Sequence, residues 1–130
     1  MIMAATILLI HGSKNDLTAL QASDLRDRLQ EIPALAAKRL EIAYLHFAQP
    51  GLGTVIESLY LAGIHQIQII PLFTFAGNHT MQDIPRICAE MKAQHPGLEF
   101  AIGQPLASQP GFIDLIGQIL LAAEKGPLTT

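Results

Sequence analysis

The sequence predicts one doubly wound α/β domain, a four-stranded parallel sheet flanked by helices, over residues 1–130. Two observations carry that expectation. Apolar runs of strand length alternate four times with stretches of helical period, which is the pattern of a parallel sheet built with crossover helices. The length suits one compact domain and leaves little room for a second.

The first strand is expected at residues 6–10. A helix follows at about 15–31, where Leu17, Leu20, Leu25 and Leu29 fall close to one face. Pro33 closes that region, since it can neither donate a backbone hydrogen bond nor fit inside a helix. A second strand is read at 40–46 and a second helix at about 51–61, with Gly63 as its C-terminal cap. The isoleucine-rich stretch 66–73 reads as a fully buried third strand. After a loop through Gly77, a helix is expected at about 81–94, with Pro85 accommodated in its first turn and His95-Pro96-Gly97 stopping it. Residues 98–103 form the last strand and 109–124 the last helix, leaving 126–130 as a frayed tail. No repeat, low-complexity tract or linker interrupts the series.

Composition narrows the function. Half the residues are hydrophobic and only 15% are charged, more apolar surface than a lone domain of this size requires, so part of it is expected to face a partner. The net charge of -3 supplies no basic field to hold nucleic acid. No apolar run approaches the roughly 20 residues that span a bilayer. The apolar stretch 4–10 lacks a basic flank and runs directly into His11-Gly12-Ser13, so it reads as a buried strand rather than a secretory leader. The single cysteine, Cys88, excludes an intrachain disulfide framework and fits the reducing cytoplasm, as a small buried hydrophobe on a helix.

In an open parallel sheet, ligands bind at the carboxyl ends of the strands, where loops and helix N-termini converge. That rule sorts the five histidines. His11 follows the first strand, His46 ends the second and His79 lies in the loop after the third. Neighbouring strands are only about 4.8 Å apart, so three such imidazoles can converge on one small metal or proton-transfer site. Each also has a plainer reading: His11 as a backbone-bonded residue in a turn, His46 as a partly buried strand residue satisfied by a hydrogen bond. His65 precedes the third strand, at the opposite edge of the sheet, and His95 sits at a helix C-terminus where a cation suits the dipole; both read as structural or solvated. Ser13 has no G-x-S-x-G elbow around it, and neither a Walker A motif nor a G-x-G-x-x-G fingerprint follows the first strand. The acidic strand end that a response-regulator receiver needs is histidine here.

Two segments carry a family resemblance. These are Leu8-Leu9-Ile10-His11-Gly12-Ser13, and Ile70-Pro71-Leu72-Phe73 continuing through Gly77-Asn78-His79-Thr80 to Asp83-Ile84-Pro85-Arg86. Together they resemble the small class II sirohydrochlorin chelatases of cobalamin and siroheme pathways, over nearly the whole chain. The resemblance implies a cytoplasmic lyase that inserts a divalent metal (cobalt, iron or nickel) into a sirohydrochlorin-type tetrapyrrole. The metal is then a substrate, and no organic cofactor is needed. His11 and His79 become the pair that binds metal and assists proton removal, and the short form becomes a subunit that pairs with itself. Many relatives carry an E-F-x-E-P pattern where this chain has His46-Phe47-Ala48-Gln49-Pro50, so both acids are absent and His46 becomes a third nitrogen donor.

The chemistry suits imidazole. Its ordinary pKa near 6.5 lets it accept a pyrrole proton at neutral pH, and its neutral nitrogen binds first-row metals. Substrate carboxylates call for donors, and Ser13, Lys14, Arg86 and the backbone N–H groups around Gly77 and Asn78 are the nearest. Solvated surface charge is the alternative for Lys14 and Arg86. Phe73, Phe75 and Met81 can pack on a flat ring or simply fill the core. The stretch 112–121 is apolar around more of its circumference than one stripe requires, which predicts a homodimer. Two rivals stay open: a non-catalytic metal carrier or sensor using the same histidines, and a hydrolase using Ser13.

Overall fold

The computed structural model describes residues 4–126. In chain order it contains β1 (Ala4–Ile10), α1 (Asp16–Gln30), β2 (Leu40–Tyr44), α2 (Leu52–Leu61), β3 (Gln66–Pro71), α3 (Asn78–Gln94), β4 (Glu99–Ile102) and α4 (Phe112–Ala123). Short 3-10 turns occupy Pro33–Leu35 and Leu106–Ser108. The four strands form one parallel sheet in the order β2-β1-β3-β4. The expected α/β architecture is therefore present.

Sheet order decides which face each helix covers. Crossovers between parallel strands are right-handed, and the chain leaves β1 toward β2 but then travels the other way to β3 and β4. α2 and α3 accordingly pack together on one face, burying Leu52, Ile56, Leu59, Ile84 and Cys88 against Ile7, Leu9, Ile67 and Ile69. α1 lies against β2 and buries only Ala22 among its described side chains. The predicted leucine face of that helix is not a core face, for Leu17 and Leu20 are mostly exposed.

Local chemistry sets the ends. Asn15 caps α1 by accepting a hydrogen bond from the Leu17 N–H at 2.9 Å. Gly63, at φ +90, lets the Ile64 N–H reach the Leu59 carbonyl at 2.9 Å while its own N–H bonds Tyr60, a Schellman closure of α2.

Several boundaries differ from the sequence reading, each for a physical reason. β3 alternates over its first half: Ile67 and Ile69 enter the core, whereas Gln68 is exposed on the face that α1 leaves uncovered. β2 ends at Tyr44 rather than at His46. α3 starts at Asn78, capped by Gly77, so His79 belongs to its first turn and Pro85 lies inside the helix. The helix continues through Pro85 because buried Ile84 and Cys88 hold the two sides of that turn. α4 begins only at Phe112, because Gly111 in the left-handed region separates it from the preceding 3-10 turn. Of the expected frayed tail, 127–130 lie outside the described residues.

Candidate functional site

Strand order reverses direction beside β1, so the crevice at the carboxyl ends of β1, β2 and β3 is the place where an open α/β sheet leaves room for a ligand. His11 is the first residue past β1. Parallel pairing continues beyond β2 through two backbone bonds, Leu45 N–H to the Ile10 carbonyl at 2.9 Å and His46 N–H to the His11 carbonyl at 2.8 Å. Gly12 makes that approach possible. It sits at φ +108, and a Cβ there would collide with the His46 carbonyl oxygen.

The backbone contact sets the two imidazoles side by side, with ring centroids 5.3 Å apart in an edge-on arrangement. Phe73, buried at the end of the β3 segment, meets the His11 ring edge-on at 5.9 Å. Phe47 completes the surround, 6.4 Å from His11 and 5.8 Å from His46. The residue is 66% exposed and its backbone holds φ +65, which a bulky side chain adopts only where the surrounding structure compels it. His11 itself faces solvent. The product is an open edge of paired nitrogen donors with an aromatic rim.

From α3 comes a polar chain. Asp83 lies one helical turn beyond His79, with Oδ2 at 3.7 Å from His46 Nε2 and Oδ1 at 3.4 Å from Arg86. Arg86 also reaches Glu90 at 3.1 Å, and hydrogen bonds to Glu90 and then to Asp83 raise its guanidinium above the ordinary value.

A family model described as CbiX matches residues 5–123. The chain belongs to the CbiX family. A sirohydrochlorin cobaltochelatase from Sulfurisphaera tokodaii is 28% identical over 91% of the chain and 88% of that protein. The chloroplastic sirohydrochlorin ferrochelatase of Arabidopsis thaliana is 23% identical over 85% of the chain but 48% of its own length. A crystal structure of a CbiX protein from Marinobacter aquaeolei VT8, described under cobalamin (vitamin B12) biosynthesis, superposes with TM-score 0.74 at 25% identity, covering 94% of this chain and 98% of that one. SirB from Bacillus subtilis with Fe3+ shares the fold, with TM-score 0.79 at 18% identity, and this chain spans 49% of it.

Within this CbiX chain the structure brings His11 and His46 together. It sets His79 at the N-terminal end of α3, on the same edge of the sheet. Among the described residues, no three His, Cys, Asp or Glu side chains are gathered closely enough to hold a metal ion by themselves. Gly77 and Asn78 form the start of α3, which has no side-chain cap, so its first N–H groups are not bonded that way. The Ser13 Oγ accepts from the Asn15 N–H at 3.1 Å and serves the start of α1. Lys14 is exposed. Phe75 is 79% exposed and meets Phe112 of α4 edge-on at 6.5 Å, away from the histidine pair. Arg86, expected in the turn after His79, stands well along α3 and is engaged by two carboxylates.

Asp83 and Phe47 were not assigned a site role from sequence. Asp83 stands at i+4 from His79, a relation visible only once α3 is known to start at Asn78. Phe47 carries no signal beyond its position, because its approach depends on an unusual backbone angle.

The opposite edge is separate. Tyr60 stacks on His65 at 4.7 Å and packs against His95 at 4.6 Å, while its hydroxyl donates to the Pro96 carbonyl at 3.1 Å. Both histidines are thus where the sequence put them. A hollow of about 890 Å³ also opens there, between Lys38, Arg39, Gln66 and Glu99. It adjoins the amino ends of the strands, the wrong end for ligand chemistry in a parallel sheet. No helix among the described residues is long and apolar enough to cross a membrane.

Proposed function

We propose that this chain, read as one chelatase domain over residues 1–130, inserts a divalent metal into sirohydrochlorin, with cobalt, iron or nickel as the metal substrate. The observation that carries it is the paired imidazoles of His11 and His46 on an open, aromatic-rimmed strand edge. The relatives' names, cobaltochelatase and ferrochelatase, agree with it.

Insertion removes two protons from the ring nitrogens while the ion exchanges water for those nitrogens. In this reading His11 and His79 are the catalytic pair, holding the ion over one face of the macrocycle and accepting the leaving protons, with His46 a further metal donor. No covalent intermediate is required. In this reading the α3 start at Gly77 and Asn78, with Ser13 and Lys14, would receive the ring's carboxylates; Phe75 would have to leave Phe112, and Arg86 its two carboxylate partners, to join them.

The site is completed, in this reading, by a second copy of the chain. Six large apolar side chains of α4 (Ile113, Leu115, Ile116, Ile119, Leu120 and Leu121) are between 37% and 76% exposed, and the helix packs mainly on the Leu106–Ser108 turn. We place the protein in the cytoplasm, where a lone buried cysteine stays reduced.

The test is an absorbance titration of the full chain with sirohydrochlorin and Co2+, Fe2+ or Ni2+ in turn. Enzyme-dependent conversion of the free-base spectrum to the metallated one is expected with at least one metal. Tight metal binding with no acceleration of insertion by any of them would overturn the enzyme in favour of a metal carrier.

A further inference from the structure

The face of α3 that carries His79 also carries Asp83, and Asp83 has one oxygen committed and one free. Oδ1 is taken by Arg86 at 3.4 Å, and Arg86 is itself held by Glu90 at 3.1 Å. Oδ2 is left to face His46 Nε2 at 3.7 Å, in ion-pair range and slightly beyond a hydrogen bond. Ionised carboxylate accepts and cannot donate, so an imidazole nitrogen facing it is the one that bears the proton. A neutral imidazole has only one other nitrogen, which then carries the lone pair. Metal-binding histidines are commonly fixed in this way by a carboxylate behind the ring.

We propose that Asp83 is a positioning residue for His46: it reserves Nε2 as the protonated nitrogen, so that His46 offers Nδ1 to the arriving metal. This inference rests on the reading of His46 as a metal donor. The arrangement does two things at once. It orients the ring that Gly12 and the backbone bond to His11 have brought into place, and it sets a carboxylate behind that ring, where negative charge favours an approaching cation. Arg86 and Glu90 keep Asp83 from turning away. The carboxylate that the family resemblance leads one to expect at position 46 is thus supplied from α3, behind the imidazole rather than in its place.

Ring-nitrogen NMR of the 15N-labelled full chain, titrated with diamagnetic Zn2+, reads the nitrogen directly. The Nδ1 resonance of His46 is expected to move on metal addition while Nε2 stays protonated. Metal appearing on Nε2 would overturn the proposal. Co2+ titrations then test the coupling: Asp83→Ala should weaken binding by about 10–100-fold, and by little when His46 is already alanine. An equal loss in both backgrounds would show that Asp83 does not act through His46. Asp83→Asn keeps an acceptor oxygen and should lose less than Asp83→Ala; equal losses with unchanged melting curves would also count against the proposal. Wild-type protein that shows this metal signature but inserts no metal into sirohydrochlorin would leave the positioning role standing and remove the chelatase reading instead.

Discussion

At the strand edge the proposed reading gives His11 and His79 the chemistry and Gly12 the close backbone approach, and substitution tests each. His11→Ala and His79→Ala are each expected to remove most metal insertion while the fold persists, because both side chains are exposed and neither belongs to the core. Near-normal turnover of either variant in the absorbance assay would remove that histidine from the mechanism. Gly12→Ala should fail differently. Its Cβ would collide with the His46 carbonyl, and the left-handed backbone adds strain, so a loss of several kcal/mol is reasonable on the order-of-magnitude scale of such clashes, with both melting temperature and metal affinity reduced. A melting temperature equal to wild type would contradict the close approach. Cys88 gives a pH prediction. Burial pushes its thiol from 9.0 up to about 11, so the folded state favours the neutral form. The corresponding stability is complete below pH 9 and is lost as pH rises toward 11, and melts of wild type against Cys88→Ala across that window should converge.

Among the elements, α3 departs most from what its sequence suggests. It carries proline in its interior, losing the bond that an N–H at position 85 would give to the Met81 carbonyl. The proline side chain is exposed, so Pro85→Ala removes no core contact. It should raise stability, by up to about 3 kcal/mol if the whole penalty is recovered. A lowered melting temperature would mean that the proline shapes the helix that carries His79 and Asp83. β3 makes the opposite point: its isoleucines suggest burial on both sides, yet Gln68 faces outward because no described helix covers the β3–β4 part of that face.

At the scale of the molecule, the exposed face of α4 is the dominant unsolved surface. Full burial of a Leu or Ile side chain contributes roughly 1.5–3 kcal/mol; these six are already partly buried, so covering all of them on both copies supplies roughly 10–20 kcal/mol against an association cost of about 4–15 kcal/mol. A homodimer is expected at micromolar concentration. Light scattering should report twice the chain mass, and pairing Ile116→Glu with Leu120→Glu should return a folded monomer. If the wild type is already monomeric and fully active there, a second copy does not complete the site.

The sequence by itself determined the α/β class, all four strand-helix pairs and the edge on which His11, His46 and His79 lie, because hydrophobic period and strand polarity are local properties of the chain. It also separated His65 and His95, which lie at the other edge with Tyr60. Tertiary structure alone decided the rest. The order β2-β1-β3-β4 places the switch beside His11, Gly12 presses against a backbone more than thirty residues away, and Asp83 comes to His46 across the crevice. Such contacts join residues far apart in the chain, so no spacing records them. They exist only once the sheet order and the start of α3 are set.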